Sequence, residues 1–470
     1  MGSAYLPSCG DSGAAADGSA DVKVDVGDTG ADAPPVTCPS GKEPKDDPTC
    51  VTNDLGVFVS AAGNDADPGT KEKPVATLGA ALTKAGSGGK GKVFVCEGSY
   101  TESATIKATV GVYGGFKCSD WSYTGTKPKF AGAKPDFVIK VDGASGVTLA
   151  DLELDGKDGA PNSGESSVAL ALLDAQSVSI TRSALRAGLG AQGVNGKLTP
   201  FTYPVQSEIN GFPASPTDAG AANAFTKCSG GGVTKGGAGG ASGFPGSPGE
   251  PDAGGGKGGD TSGTCGVNAG NGGAGGTGPA GTTGVGASVS GTLSNAGWSP
   301  GGGAKGGVGS VGQGGGGGGG YLGSGGGGGG AGGCGGAAGE GGGGGGASIA
   351  LLALNATVGL VSSELASGNA GNAGSGAAGQ PGQTPGGFFG VGNPPACQGG
   401  NGGAGGAGGA GGGGAGGISV GILYKGTKPV TDSATDGKIT VGTKGNKGLG
   451  GASPTNDGID GVAQAVLQAP

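Results

Sequence analysis

The sequence predicts an all-β fold: a right-handed parallel β-helix, a solenoid, carrying long glycine-rich insertions that could wind as polyproline II. Three observations predict it. A unit of about 22 residues recurs along the chain, its residues alternate apolar and polar at period two, and no stretch between units has the three-and-four apolar spacing of a helix.

The repeat sets the register. SVALALLDAQSVSITRSALRAG, residues 167–188, aligns with SIALLALNATVGLVSSELASG, residues 348–368, through a single gap. Val168, Leu170, Val178, Ile180, Leu185 and Gly188 fall on Ile349, Leu351, Val358, Leu360, Leu365 and Gly368. An earlier copy, GVTLADLELDG from Gly146, sets Val147, Leu149 and Leu154 on Val178, Ile180 and Leu185. A weaker one, ISVGILYKGTKPV from Ile418, offers Val420, Ile422, Tyr424 and Val430. One such unit cannot bury its own apolar residues, but stacked units share a continuous core. A β-sandwich is the competing arrangement of the same short strands.

The first coils have a distinct opening. GVFVSAAGNDADPGT, from Gly56, gives a strand and then an Asp-Pro-Gly turn. The Ala-rich stretch 75–85, with Leu78 and Leu82 four apart, suits a short helix covering the open end of the core, where strand edges would otherwise be exposed. KVFVCEGSY then returns to strand. With GVYGGF at 111–116, these elements resemble the opening of pectin-lyase-like β-helix proteins of bacterial surfaces. The resemblance spans about residues 55–190 and implies the fold. It leaves the chemistry open, because lyases, hydrolases and binding proteins share that fold.

Glycine is the second regime. Of 470 residues 127 are Gly, and residues 301–350 alone hold 32 of them. The tracts follow equivalent positions, Gly188 and Gly368, so they are expected to leave one corner of the solenoid, which clamps their ends. GGAGGAGGA repeats every three residues, the period of a polyproline II helix, in which neighbours bond through the backbone. Ordered bundle and flexible loops are both open readings at this stage. The tracts resemble the PGRS-type glycine-rich repeats of actinobacterial surface proteins.

Composition narrows the partners. A net charge of -8, two arginines and no basic run leave no footprint for nucleic acid. No apolar run approaches the ~20 residues of a membrane span. Membrane association is therefore expected only through a lipid anchor, for which Cys9 is the candidate: YLPSCG resembles the end of a bacterial lipoprotein signal, with Pro7 and the missing apolar segment as departures. A tail cysteine, free or disulfide-bonded, is the alternative. The other eight, Cys38, Cys50, Cys96, Cys118, Cys228, Cys265, Cys334 and Cys397, are read as disulfides of an exported protein, paired locally as 38–50, 96–118, 228–265 and 334–397.

The chain divides accordingly. Residues 1–54 read as an acidic linker with the lipobox-like start and a small cysteine knot, 55–200 as cap and first coils, and 201–346 as a glycine-rich insertion. Residues 347–366 then form a coil, 367–416 a second insertion, and 417–470 a terminal coil and tail.

No residue is assigned to catalysis. Asp151, Asp155, Asp158 and Asp174, with Arg182 and Arg186 nearby, lie near coil turns, where calcium or carbohydrate contacts compete with ordinary turn chemistry. No cofactor beyond such a calcium is expected. The expected function is an exported, cell-surface or extracellular structural or adhesive protein that meets polysaccharide or cell-surface glycans. The alternative is a polysaccharide lyase or glycoside hydrolase.

Overall fold

A computed structural model of the chain describes residues 38–215, 221, 224–261, 265 and 270–470. The acidic linker and Cys9 lie outside these. Nearly all regular structure is strand, arranged in three long sheets whose neighbours pair in parallel, apart from Tyr123–Thr126, which joins the first sheet antiparallel to Gly111–Phe116; the arrangement is compatible with a solenoid. Parallel pairing separates it from a sandwich of antiparallel sheets.

The chain visits the sheets in turn. Lys92–Cys96, Gly111–Phe116, Thr148–Ala150, Val178–Thr181 and Val358–Val361 belong to the first sheet. Ser99–Thr101, Lys129–Ala131, Glu153–Asp155, Ala184–Arg186 and Glu364–Ala366 follow them into the second. Ala104–Ile106, Ile139–Asp142, Ser167–Leu173, Ser348–Leu354, Ser419–Lys425 and Ala463–Gln468 form the third. The repeat alignment is the strand register: Val168 pairs with Ile349, Leu170 with Leu351, Ile180 with Leu360 and Leu185 with Leu365. Inward residues stack into columns. Val57, Val93, Val112, Leu149, Ile180 and Leu360 form one, all buried, and Tyr100, Phe130, Leu154, Leu185 and Leu365 another. Removing one such side chain leaves a cavity between two coils, at a typical cost of about 2–5 kcal/mol for Leu→Ala.

The cap helix runs Leu78–Ser87, starting three residues later than the Ala-rich pattern suggested, because Val75 bridges to Val59. Leu78, Ala81 and Ala85 are buried against the first coil. Its N-terminus is closed by Thr77, whose side chain accepts from the Ala80 N–H, and by Glu102, whose carboxylate accepts from Leu78 and Gly79 at 2.8 and 3.1 Å.

The glycine tracts leave between the second and third sheets, from Arg186 to Ser348 in one coil and from Ala366 to Ser419 in the next. A serine ladder marks this corner. Ser167, Ser348 and Ser419 pair in register and are wholly buried. Ser167 Oγ accepts from Gly188 N–H, and Ser348 Oγ accepts from Gly368 N–H while donating to Gly188 O. Residues 442–461 join the same body: Gly445, Gly448 and Gly451 donate to Gly417, Gly414 and Gly411.

Beyond the corner the tracts bond to one another every third residue. The amides of Gly327, Gly330, Gly333, Gly336, Gly339, Gly342 and Gly345 donate to the carbonyls of Cys397, Gly400, Gly403, Gly406, Gly409, Gly412 and Ala415. The intervening positions turn elsewhere. Gly343 and Gly346 donate to Val194 and Ala191, and Gly329 donates to Gly237. A repeat of three residues gives each tract three directions in which to bond, so a glycine is required in each direction where a neighbour closes in. A Cβ on Gly314, Gly315 or Gly316 would lie 1.9–2.1 Å from the carbonyl oxygens of Lys235, Gly400 and Lys257, three different neighbours. This run, 314–320, is all glycine. In 402–411, Gly402 and Gly403 meet Ala331 and Gly276, while Ala404, Ala407 and Ala410 face less crowded space, which gives GGA. In residues 303–312, Gly303, Gly306, Gly309 and Gly312 meet one neighbouring tract, and Gly307 meets Thr282 of a second.

Four disulfides close the structure. Cys38–Cys50 and Cys96–Cys118 match the local pairing, but Cys228 joins Cys334 and Cys265 joins Cys397. Local pairing fails there because the tracts run side by side over long sequence distances. Cys334 belongs to a tract that passes the hairpin around Cys228, where Thr234 Oγ1 accepts from Gly332 N–H. Gly272, close to Cys265 in sequence, donates to Gln398 beside Cys397.

Candidate functional sites

The four aspartates do not converge. Asp151 is buried and accepts from Arg182 Nε at 2.9 Å, Arg182 Nη2 at 2.8 Å and the Tyr123 hydroxyl at 3.0 Å. These hydrogen bonds hold the Arg182 guanidinium above its ordinary pKa, while burial first and the Asp151 charge second raise that of Tyr123. Asp151 and Arg182 occupy the same turn of consecutive coils, both at positive φ, with Ser362 next in the column. Asp174 and Asn355 repeat this at another corner, flanked by Gly143 and Gly426, all four at positive φ. Asp and Asn tolerate that conformation better than other side chains, and Gly best of all, so turn geometry accounts for Asp174. Asp158 Oδ1 accepts from Leu189 N–H at 2.7 Å. Among the described residues no three acidic or sulfur ligands gather as a metal cluster.

Asp155 belongs to a ladder of charges on the outer face of the second sheet. Lys129 Nζ reaches Asp155 at 2.5 Å and Glu153 at 3.7 Å, Arg186 reaches Glu153 at 2.8 Å and Glu364 at 3.8 Å, and Lys438 reaches Glu364 at 2.9 Å. Alternating signs one coil apart leave each charge paired with its neighbours, and at this exposure each pair contributes little, typically up to ~1 kcal/mol.

Two features escaped the sequence reading. The first is a groove of about 420 Å³ between the outer face of the third sheet and the antiparallel hairpin Gly291–Ser294 and Gly297–Pro300. Its floor is apolar, with Val168, Leu173 and Leu352; Phe137 and Trp298 stand in its walls, and Asp136, Lys140 and Glu165 complete it. Among the described residues, none accepts from the buried Trp298 Nε1–H. The available signal was SNAGW, a turn sequence ahead of an aromatic, with Gly297 at positive φ.

The second is the far end of the glycine tracts. The exposed aromatic side chains among the described residues, Phe212, Phe225, Phe244, Tyr321, Phe388 and Phe389, all lie in the glycine-rich body. Four of its turns are tied together there: Gly323 N–H donates to Ser242 Oγ, Ser324 Oγ to Pro394 O, Asn393 N–H to Gly325 O and Ala214 N–H to Val391 O. These turns display Phe244 at 65 % exposure, Leu322 at 80 % and Phe212 at 51 %. Residues 209–215, 239–249, 314–326 and 386–397 contain no charged side chain. The signal was a glycine followed by an aromatic beside a turn, as in GFPAS, GFPGS, GYLGS and GFFGVG.

No helix among the described residues is long and apolar enough to cross a membrane. No protein-family model matches the chain, and neither a curated protein nor a solved structure is significantly similar to it.

Proposed function

We propose that the chain is an exported adhesive protein of the cell surface or its surroundings. In this reading a right-handed parallel β-helix of pectin-lyase-like form clamps a lattice of polyproline-II-like glycine tracts, and the far end of the lattice makes contact with polysaccharide or cell-surface glycans. At ~3.1 Å per residue such a tract carries residue 327 about 55 Å from residue 345. The observation that carries the reading is the gathering of exposed aromatic side chains on uncharged, mutually bonded turns at that far end. Rigid aromatic side chains supply contact area at small entropic loss, the property an adhesive tip requires. The four disulfides support export, and Cys9 supplies the lipid anchor.

Beads carrying the full chain should be retained under flow on cellulose, chitin or α-glucan particles. A variant with Phe212, Phe244, Leu322 and Phe388 each changed to Ser should lose that retention while keeping its far-UV spectrum. Equal retention of parent and variant, or no retention on any of the three, ends the adhesive reading. The two carboxylates of the groove, Asp136 and Glu165, favour the second reading, a polysaccharide-cleaving enzyme. New reducing ends released from these particles or from polygalacturonate would establish it.

A further inference from the structure

Asparagines along the tracts repeat one pair of contacts. Asn195 Oδ1 accepts from Ser375 N–H at 2.8 Å, and the amide of the next residue, Gly196, donates to the carbonyl of that same Ser375 at 2.7 Å. Asn210 and Gly211 hold Phe388 in this way, Asn369 and Ala370 hold Thr443, and Asn372 and Ala373 hold Asn446. Asn401 spreads the clasp over two residues: its Oδ1 accepts from Phe389 N–H at 2.9 Å, while Gly402 N–H donates to Gly387 O at 2.8 Å. Among the described residues no backbone carbonyl accepts from the N–H of Ser375, Phe388, Phe389, Thr443 or Asn446. The side-chain amide supplies that acceptor, and the two bonds together fix which residues stand opposite one another.

Three of these clasps place glycine after the asparagine, at 195–196, 210–211 and 401–402. We infer that they are deamidation sites that the tracts hold shut.

The chemistry follows from the pair of residues. With no Cβ on the following residue, its backbone nitrogen reaches the asparagine Cγ with least hindrance. That nitrogen bonds to Cγ, the Cγ–Nδ2 bond breaks, and ammonia leaves with the amide proton. Water then opens the cyclic imide at one of its two carbonyls, which gives aspartate or isoaspartate. Isoaspartate routes the main chain through Cβ, so the backbone gains an atom and the residues after it lose the three-residue register.

Burial does not protect these sites, since Asn195 and Asn401 are exposed and Asn210 is half-buried. The fold withholds the geometry instead. Before the ring can close, the glycine N–H must leave its carbonyl acceptor and the asparagine Oδ1 must leave its N–H donor, so both bonds of the clasp are lost on the way to the new one. Two of the sites stand at the far end of the tracts, where Asn210 grips the backbone of Phe388 and Asn401 that of Phe389. Conversion there releases the main chain that presents two exposed rings.

The full chain, disulfides intact, should be held at mildly alkaline pH and mapped by peptide mass over time, with isoaspartate labelled by an isoaspartyl methyltransferase. The reduced chain in guanidinium gives the rate without the clasps. Asn195, Asn210 and Asn401 should each convert at least about tenfold more slowly in the native chain, because only molecules with the tract opened react. Ser375→Pro removes the N–H that Asn195 accepts, so Asn195 should convert several-fold faster there while Asn401 keeps its parent rate. Ser375→Ala keeps that N–H and should leave both rates as in the parent. Native and unfolded chains converting alike at any of the three sites would overturn the inference. So would an unchanged rate at Asn195 in Ser375→Pro, a rise at Asn401 equal to that at Asn195, or a faster rate in Ser375→Ala. The readout is a mass, so it stands apart from whether the tip meets a glycan.

Discussion

The carbonyl oxygen of Gly371 lies 2.0 Å from the point that a Cβ on Gly345 would occupy. No side chain fits there without parting the two tracts. Gly345→Val should therefore speed amide hydrogen exchange across 327–346 while leaving strands such as Val178–Thr181 protected, since protection reports local opening. Ala407, three residues past Ala404 on an exposed edge, supplies the contrast: Ala407→Lys should leave exchange unchanged. Equal effects of the two substitutions would show that tract contact does not govern the glycine requirement.

The long-range disulfides lead to a second expectation. Non-reducing peptide mapping should recover Cys228 with Cys334 and Cys265 with Cys397, closing loops of 106 and 132 residues. Loop-closure entropy makes bridges of this span stabilising by roughly 4 to 5 kcal/mol each in the chain-entropy model. Both bridges lie wholly within the glycine-rich body, so mild reduction should raise exchange there before it reaches the coils. Recovery of Cys228 with Cys265 would contradict the tract order.

How much of this was readable depends on whether a position carries a side chain with a partner to match. Ile180 and Leu360 were legible as neighbours because aliphatic residues recur at the same offsets in each unit and must stack inward. The glycine tracts announced their period of three and their exit corner, but Gly327 carries no information about Cys397, its partner 70 residues on. The same silence misplaced two cystine pairs. Asp151 was noticed for its charge, whereas its position answers to backbone conformation and to Arg182 one coil away. The groove stayed hidden because it joins Phe137 and Trp298 across 161 positions, inside segments with no repeat to align.

Glu102 gives the cap a pH dependence. Burial raises its pKa above the ordinary glutamate value of 4.5, opposed by the N–H groups of Leu78 and Gly79. With the folded pKa above the unfolded one, the native state binds the proton more tightly. The group's contribution to stability is then fully present below the ordinary glutamate range and declines as pH rises through the raised value. Glu102→Gln removes this titration but keeps an acceptor for one helix N–H. The difference in melting temperature between parent and variant should move in the variant's favour as pH rises through that window, then level off. A constant difference from pH 4 to pH 8 would rule out the linkage.

Ser348 sits at the root of the glycine body and tests whether the coils hold it. Its fully buried hydroxyl accepts from Gly368 N–H at 2.8 Å and donates to Gly188 O at 2.6 Å, joining the half-buried first residues of two tracts. Ser348→Ala barely changes the volume and leaves strand pairing with Ser167 and Ser419 intact, but it takes from the Gly368 N–H and the Gly188 carbonyl the hydroxyl they share. Each unmet group costs about 1–3 kcal/mol unless the backbone shifts or water enters. The expected result is a loss of stability in that range, with faster exchange at Gly368 and little change at Leu351 within the strand. A silent substitution would mean that the tract-to-tract bonds alone set the geometry of the corner, and that the serine ladder follows from it.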